Sequence, residues 1–326
     1  MSEPNNSQTL KVGVIGCGNM GRNHLRVLST MHEYDLVGCY DSIKESADAQ
    51  ASLYGIRSFE SIDELLSSVD VAHVVTPSFT HRDVAIEAAN KGCHVLVEKP
   101  IALTVEDAQA IIDACEANHV RLCVGHVERF NPAIIATSQV LRSEQPLAFD
   151  FHRMSPFYGR VSDASVVQDL MIHDIDVLNS IADSEVKKVC AQGIKLHTDK
   201  LDYCQALVLF ENGMCASLTA SRVTEAKIRT AEIDCLHAHI LLDYIDRKVE
   251  VSRKTSFQLD AGHDIQYKQE NIIERVIVPN TEPLRAEFAH FAHCITTGEP
   301  VLTSGEMGMK ALKLCELIEQ AADNQE

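Results

Sequence analysis

Tryptophan is absent from the 326 residues, an absence that bears little on function, but several other scarcities exclude whole classes. Basic residues are few: 29 Lys and Arg stand against 47 Asp and Glu, a formal net charge of −18. So acidic a chain lacks the overall positive footprint of a nucleic-acid binder and is repelled by anionic membrane surfaces. Any anionic ligand must therefore be met locally, by placed arginines or by backbone N–H groups. No run approaches the ~20 apolar residues of a membrane span, and the polar stretch over residues 1–9, expected to be a flexible tail, lacks the apolar segment of a secretory signal. No C-x-x-C pair occurs among the 11 cysteines, which argues against a zinc ribbon or a thioredoxin-type site. Most cysteines sit in apolar runs, such as Leu122-Cys123-Val124, where the thiol acts as a small core residue. Reduced thiols and a cytoplasmic protein are the expectation. His237 with His239, and His290 with His293, have metal-compatible spacing but no accompanying ligands in sequence, so no metal is expected. Repeats and low-complexity tracts are also missing.

The hydrophobic share of 45% and charged share of 23% are those of a globular protein. The length is about twice that of a ~150-residue domain, so two domains are expected. Over residues 10–126 short buried strands (Leu10–Ile15, Leu36–Tyr40, Val71–Thr76, His94–Glu98, Arg121–Gly125) alternate with helical periods. That alternation predicts βαβ units and a doubly wound parallel sheet, an α/β Rossmann domain. Beyond residue 126 the pattern changes. Pro132 opens a helix and Val167–Ile181 forms another. Seven strand-like segments follow between Val186 and Val278, and helices return over Glu282–Thr296 and Glu306–Ala321. Residues 127–326 thus read as an α+β domain with a large, mainly antiparallel sheet, carrying substrate binding, oligomerisation and the C-terminal helices.

Gly16-Cys17-Gly18-Asn19-Met20-Gly21 follows an apolar strand and opens a helix, the context in which G-x-G-x-x-G binds a dinucleotide. Glycines permit the tight turn and let a pyrophosphate sit at the helix N-terminus. Asp41, 20 residues after Gly21, ends the second strand where a carboxylate accepts from adenosine ribose hydroxyls. A plain glycine turn with an N-cap aspartate is the alternative. Thr76-Pro77 and His81 follow the next strand at the ligand-binding edge of such a sheet, although a turn and helix cap also accounts for them. Glu98-Lys99-Pro100 lies at the end of the strand His94–Glu98 and projects a lysine toward the cofactor crevice, with Pro100 fixing the backbone. Asp169 and His173, four apart on a helical segment, share a face, so the carboxylate can orient the imidazole as a general base; a solvated ion pair is the alternative.

The glycine loop, T-P-x-x-x-H and E-K-P in this order resemble the Gfo/Idh/MocA oxidoreductase family, and the resemblance runs over essentially the whole chain. It implies NAD as cofactor, bound by Gly16, Gly18, Asn19, Met20, Gly21, Asp41, Thr76, Pro77, His81, Glu98 and Lys99. It implies catalytic roles for Lys99 and for the Asp169/His173 pair. Gly125-His126-Val127-Glu128-Arg129-Phe130-Asn131-Pro132, together with Arg153-Met154-Ser155-Pro156-Phe157 and the Asp169–Asp176 segment, resembles the branch of the family that oxidises C3 of UDP-N-acetylglucosamine. His126, Arg129, Asn131, Arg153, Arg160, Asp169 and His173 become the candidate substrate residues on that basis, and a homodimer or homotetramer the expected assembly. A free sugar or inositol dehydrogenase and a non-catalytic dinucleotide-binding regulator are the alternatives.

Overall fold

The computed structural model describes residues 9–157, 164–255 and 270–323, so the expected N-terminal tail lies almost entirely outside the described residues. The chain divides into two compact units, Met1–Phe130 with Thr281–Lys313, and Asn131–Asn280 with Leu314–Glu326.

In the first unit, strands β1 (Leu10–Ile15), β2 (Tyr34–Tyr40), β3 (Arg57–Ser58), β4 (Val71–Val74), β5 (His94–Glu98) and β6 (Leu122–Gly125) form one sheet in the order β3-β2-β1-β4-β5-β6. Every neighbouring pair is parallel. Helices α1 (Asn19–Leu28), α2 (Lys44–Tyr54), α3 (Ile62–Leu66), α4 (His81–Asn90) and α5 (Val105–Ala117) make the crossovers. Because crossovers cover a parallel sheet on both faces, its central strands are largely apolar, and Val71–Val74 and Val95–Val97 are fully buried. The strand order reverses at β1, so the carboxyl ends of β1 and β4 border the switch-point crevice where ligands bind in open α/β folds.

The C-terminal helices group differently from the expected division after residue 126. Helix α8 (Pro283–Thr297) belongs to the first unit: Phe288 and Phe291 enter the same core as Val12, Leu25 and Leu28, and the Tyr34 hydroxyl donates to the Phe288 carbonyl at 2.9 Å. Helix α9 (Gly305–Asp323) starts in the first unit, where Leu312 joins the core of α4 and α5, and ends in the second. Chain order hid this, since an apolar helical stripe does not say which sheet face it will cover.

The second unit is built on an eight-stranded sheet. Its strands are β7 (Pro146–Met154), β8 (Val186–Ile194), β9 (Tyr203–Phe210), β10 (Cys215–Ser221), β11 (Ile228–Cys235), β12 (Ala238–Asp243), β13 (Lys248–Thr255) and β14 (Glu270–Val276), ordered β14-β13-β12-β11-β7-β10-β9-β8. It is mainly antiparallel; β7 and β10 pair in parallel. The sequence reading missed β7, which is internal to the sheet and alternates inward Phe149, Phe151 and Arg153 with partly exposed neighbours. An arginine on the buried face masked the period-two pattern. Helix α6 (Pro132–Leu141) packs on β12 and β13. The expected helix from Val167 begins as a π-helical turn, Val167–Met171, before α7 (Ile172–Ala182). Outward-facing Leu147, Leu207, Leu209 and Leu241 leave apolar area exposed on the opposite side of the sheet. Of the 11 cysteines, all but Cys190 and Cys215 are buried, and all are free thiols. Among the described residues no helix is long and apolar enough to cross a membrane.

His73 in β4 is fully buried, edge-on to Phe288 at 4.6 Å between ring centroids. Burial, reinforced by neighbouring His24, pushes its imidazole well below the usual histidine range and keeps it neutral. The unfolded chain binds a proton at this ring near pH 6.5 and the folded chain does not, so folding stability falls as pH drops below that value. One such group contributes a slope of about 1.4 kcal/mol per pH unit. Urea unfolding at pH 7, 6 and 5 should show this loss, and His73→Asn should flatten the slope by about that amount.

Candidate active site

The phosphate loop turns on two glycines. Gly16 has φ +101°, and a Cβ there would lie 2.5 Å from the Val75 carbonyl oxygen. A Cβ on Gly21 would lie 1.9 Å from the Gly16 carbonyl oxygen, so loop and helix can approach only without side chains. The loop is held by Gly16 N–H donating to Tyr40 O at 2.8 Å. Gly18 is the N-cap of α1 and supplies no side-chain cap; the space where its Cβ would project is open to 4 Å. Helix-end N–H groups without a side-chain acceptor, at the positive end of the dipole, form a cradle for a pyrophosphate. Asn19 and Met20 at the tip are exposed.

Asp41 sits just past β2. Its carboxylate accepts from Cys17 N–H at 2.6 Å and Ile43 N–H at 2.8 Å. An ionised carboxylate offers about four lone-pair sites, so acceptor capacity remains for two ribose hydroxyls. Loop, helix terminus and carboxylate together fit an adenine dinucleotide.

The segment after β4 is arranged differently from the sequence expectation. His81 at the start of α4 is 1% exposed, and both ring nitrogens face protein carbonyls: Nδ1 lies 2.9 Å from Pro100 O and Nε2 2.9 Å from Thr76 O. Burial lowers its pKa below the ordinary histidine value, against the carbonyl hydrogen bonds that raise it. A neutral ring carries one N–H and so donates to only one of these carbonyls, but both ring nitrogens are turned toward the protein, between the Thr76 loop and the Lys99–Pro100 segment. The Thr76 hydroxyl accepts from Thr80 at 2.7 Å, while Thr76 and Pro77 keep partial or full exposure at the sheet edge. The Lys99–Pro100 peptide is cis. Lys99 is half-buried. Glu98 is 8% exposed, and its two oxygens are engaged within the protein by His24 Nε2 at 3.0 Å and by Lys99 N–H at 3.1 Å. Burial acts to raise this carboxyl, but the His24 hydrogen bond and nearby positive charge outweigh it and hold the pKa below the usual value. His24 and His73 were missed from sequence. The available signal was a histidine beside Leu25, Val27 and Leu28 on the buried face of α1, a polar group that burial obliges to find a partner.

His126, at the end of β6, is 1% exposed, and Arg129 is half-buried on the short 3-10 turn Val127–Phe130 that follows. In the second unit, Asn131 caps α6, its side-chain oxygen accepting from Ala133 N–H at 3.0 Å, with Pro132 at the first helical position. Arg153 was expected to meet a diphosphate. It is 1% exposed and forms a two-point pair with Asp174, Nε to Oδ2 at 2.9 Å and Nη2 to Oδ1 at 2.7 Å. A buried guanidinium must be neutralised where it lies, and its fork is committed to α7. Arg160 lies outside the described residues.

Asp169 lies in the π-helical turn and His173 in the first turn of α7, both half-buried. The Ser165 hydroxyl accepts from Val167 N–H at 3.1 Å and Gln168 N–H at 3.2 Å and so anchors that turn. Single π-turns inside helices are frequent at functional sites. Here the wider turn alters the lateral offset between positions 169 and 173 from that of a regular α-helix. Among the described residues no group of three or more His, Cys, Asp or Glu side chains is placed to hold a metal ion.

Residues 10–126 match the model of an oxidoreductase family with an NAD-binding Rossmann fold, and residues 107–240 match the GFO/IDH/MocA C-terminal domain. UDP-N-acetylglucosamine 3-dehydrogenase of Acidithiobacillus ferrooxidans is 32% identical over 306 residues, covering 93% of this chain and 94% of that protein. A solved structure of the same enzyme superposes with a TM-score of 0.89, covering 96% and 98% of the two chains. Inositol 2-dehydrogenase of an Arthrobacter species is 30% identical over 194 residues, 56% of this chain and 57% of that protein. An Agrobacterium radiobacter oxidoreductase solved with NAD+, L-tartaric acid and magnesium shares the fold at a TM-score of 0.84 and 20% identity, with 98% of each chain covered. With its glycine loop, the Asp41 carboxylate after the second strand and the E-K-P strand end joined to the matching C-terminal domain, the chain belongs to the Gfo/Idh/MocA family and is an NAD-dependent oxidoreductase.

Proposed function

We propose that the enzyme oxidises a secondary hydroxyl, C3, of a UDP-N-acetylhexosamine to a keto sugar, with UDP-N-acetylglucosamine as the first candidate. The observation that carries this reading is the relationship to UDP-N-acetylglucosamine 3-dehydrogenase along nearly the full length of both chains. When bound, NAD supplies the hydride acceptor. In the oxidative direction His173 takes the hydroxyl proton as the C–H bond gives up its hydride, and Lys99 donates a hydrogen bond to the same oxygen as negative charge develops there. Asp169 orients the imidazole or an adjacent sugar hydroxyl. The loop of Gly16, Gly18, Asn19, Met20 and Gly21 receives the pyrophosphate of the cofactor, Asp41 the ribose, and Thr76 and Pro77 border the nicotinamide half.

A substrate diphosphate brings negative charge to a protein of net charge −18. With Arg153 engaged by Asp174, Arg129 and Arg160 are the other candidate arginines for that role, through charge-assisted hydrogen bonds to phosphate oxygens; His126 and Asn131 flank Arg129 in the same segment. A homodimer or homotetramer packed through the sheet face bearing Leu207 and Leu209 completes the reading. Inositol or free-sugar oxidation is the second reading, favoured by the partial-length inositol dehydrogenase relationship.

Following NADH formation separately with UDP-N-acetylglucosamine, its uronate, glucose and myo-inositol should show turnover on a nucleotide sugar, with an amine trap included to draw off the keto product. Lys99→Ala and His173→Ala should each lower kcat by at least ~10²-fold with NAD affinity near wild type. Turnover of a free polyol alone would promote the second reading, and unaffected variants would favour a dinucleotide-binding regulator. NAD should exceed NADP in kcat/KM by about tenfold or more, because a 2′-phosphate would face Asp41 at ~4 Å, a like-charge cost of about 1–4 kcal/mol. Equal values with the two cofactors would remove Asp41 from the ribose site.

A further inference from the structure

Three buried side chains run beneath Lys99 and join three elements of the first unit. Glu98, ending β5, is 8% exposed, and its carboxyl carbon lies 3.0 Å from where a Cβ of Gly125 in β6 would project. One oxygen accepts the Lys99 N–H at 3.1 Å and the other meets His24 Nε2 of α1 at 3.0 Å. His24 is fully buried, and its Nδ1 lies 3.0 Å from Nδ1 of His73 in β4. Phe288 wedges both rings, at 4.8 Å from His24 and 4.6 Å from His73.

The proton inventory fixes the direction of the chain. An ionised carboxylate only accepts, so His24 Nε2 carries a hydrogen and donates to Glu98. A neutral His73 has one N–H, and placing it at Nδ1 satisfies the contact with His24 Nδ1. This leaves His73 Nε2, which has no hydrogen-bond partner, as a bare lone pair rather than an orphaned donor. One tautomer assignment thus accounts for every contact. Nothing in the packing of a parallel sheet calls for an ionised carboxylate at this buried strand end; well-packed apolar residues serve stability as well or better. The position immediately before Lys99, and the hydrogen bond to the Lys99 backbone, supply the reason for one.

We infer that His24, acting through Glu98, is the positioning residue for Lys99. It fixes the carboxylate that holds the Lys99 backbone, and so sets the point from which the ammonium group reaches the reacting hydroxyl. The same contact ties the helix of the phosphate loop to that strand end, so cofactor seat and lysine share one frame. The inference rests on the role proposed above for Lys99.

A double-mutant cycle tests it, using whichever sugar of the panel the wild-type enzyme turns over fastest. His24→Leu, which removes the donor at similar volume, should lower kcat by about 10- to 100-fold, the scale of an ångström-sized misplacement. KM for NAD should stay within about twofold. In a Lys99→Ala background the same substitution should cost nothing further, and His24→Gln, whose amide can donate to Glu98, should recover most of the rate. If His24→Leu does not fold, Glu98→Gln takes its place in the cycle. Equal losses with and without Lys99 would make His24 a merely structural residue and overturn the inference. So would normal turnover by His24→Leu alongside a slow Lys99→Ala. A normal Lys99→Ala would instead overturn the reading of Lys99 itself, and the inference with it.

Discussion

The buried hydrogen bond between His24 and Glu98 joins the helix that opens the phosphate loop to the strand end that carries Lys99. Asp41 makes a second tie of the same kind, from the end of β2 to the loop amide of Cys17 at 2.6 Å. His81 makes a third, from the loop after β4 to the carbonyl of Pro100 at 2.9 Å. Each tie satisfies polar groups that a buried strand end would otherwise leave unpaired, at a cost of about 1–3 kcal/mol apiece. Together they brace the carboxyl edge of the parallel sheet before any ligand arrives. A braced frame is what a hydride-transfer site needs, because donors already aimed at the developing charge undergo little reorganisation during reaction.

The first unit was largely legible in the sequence, because its signals are local. A glycine loop between strand and helix, an acid 20 residues further on, and short buried strands at regular intervals each follow from backbone geometry. The roles of Glu98 and His81 were less legible, since both lie where cofactor residues belong yet complete the protein's own hydrogen bonds. Burial decides that distinction, and a motif does not report burial. Helix α8 was found but placed with the second unit, and α9, which begins in the first unit and ends in the second, was placed wholly with the second, because amphipathicity names a buried face without naming the surface that buries it.

In the second unit the misreadings trace to charge on the inside. Arg153 stands two residues after Phe151 and four after Phe149, so strand alternation places it inward with them. Its charge instead suggested a phosphate ligand. Asp174, the partner that makes the inward position tenable, lies 21 residues away on α7. The π-helical turn over Val167–Met171 was equally invisible, since its apolar spacing fits a regular α-helix and no Gly or Pro marks the wider turn.

Central to the proposed function is hydride transfer from C3 of a nucleotide-linked N-acetylhexosamine to NAD, with Lys99 and His173 proposed to handle the hydroxyl proton. Transfer of label from UDP-N-acetylglucosamine deuterated at C3 tests it most directly. One deuterium per turnover should appear at C4 of the recovered NADH, with a slower rate than for the unlabelled sugar. Recovery of unlabelled NADH while the sugar is oxidised would contradict it, because the hydride would then have come from another carbon.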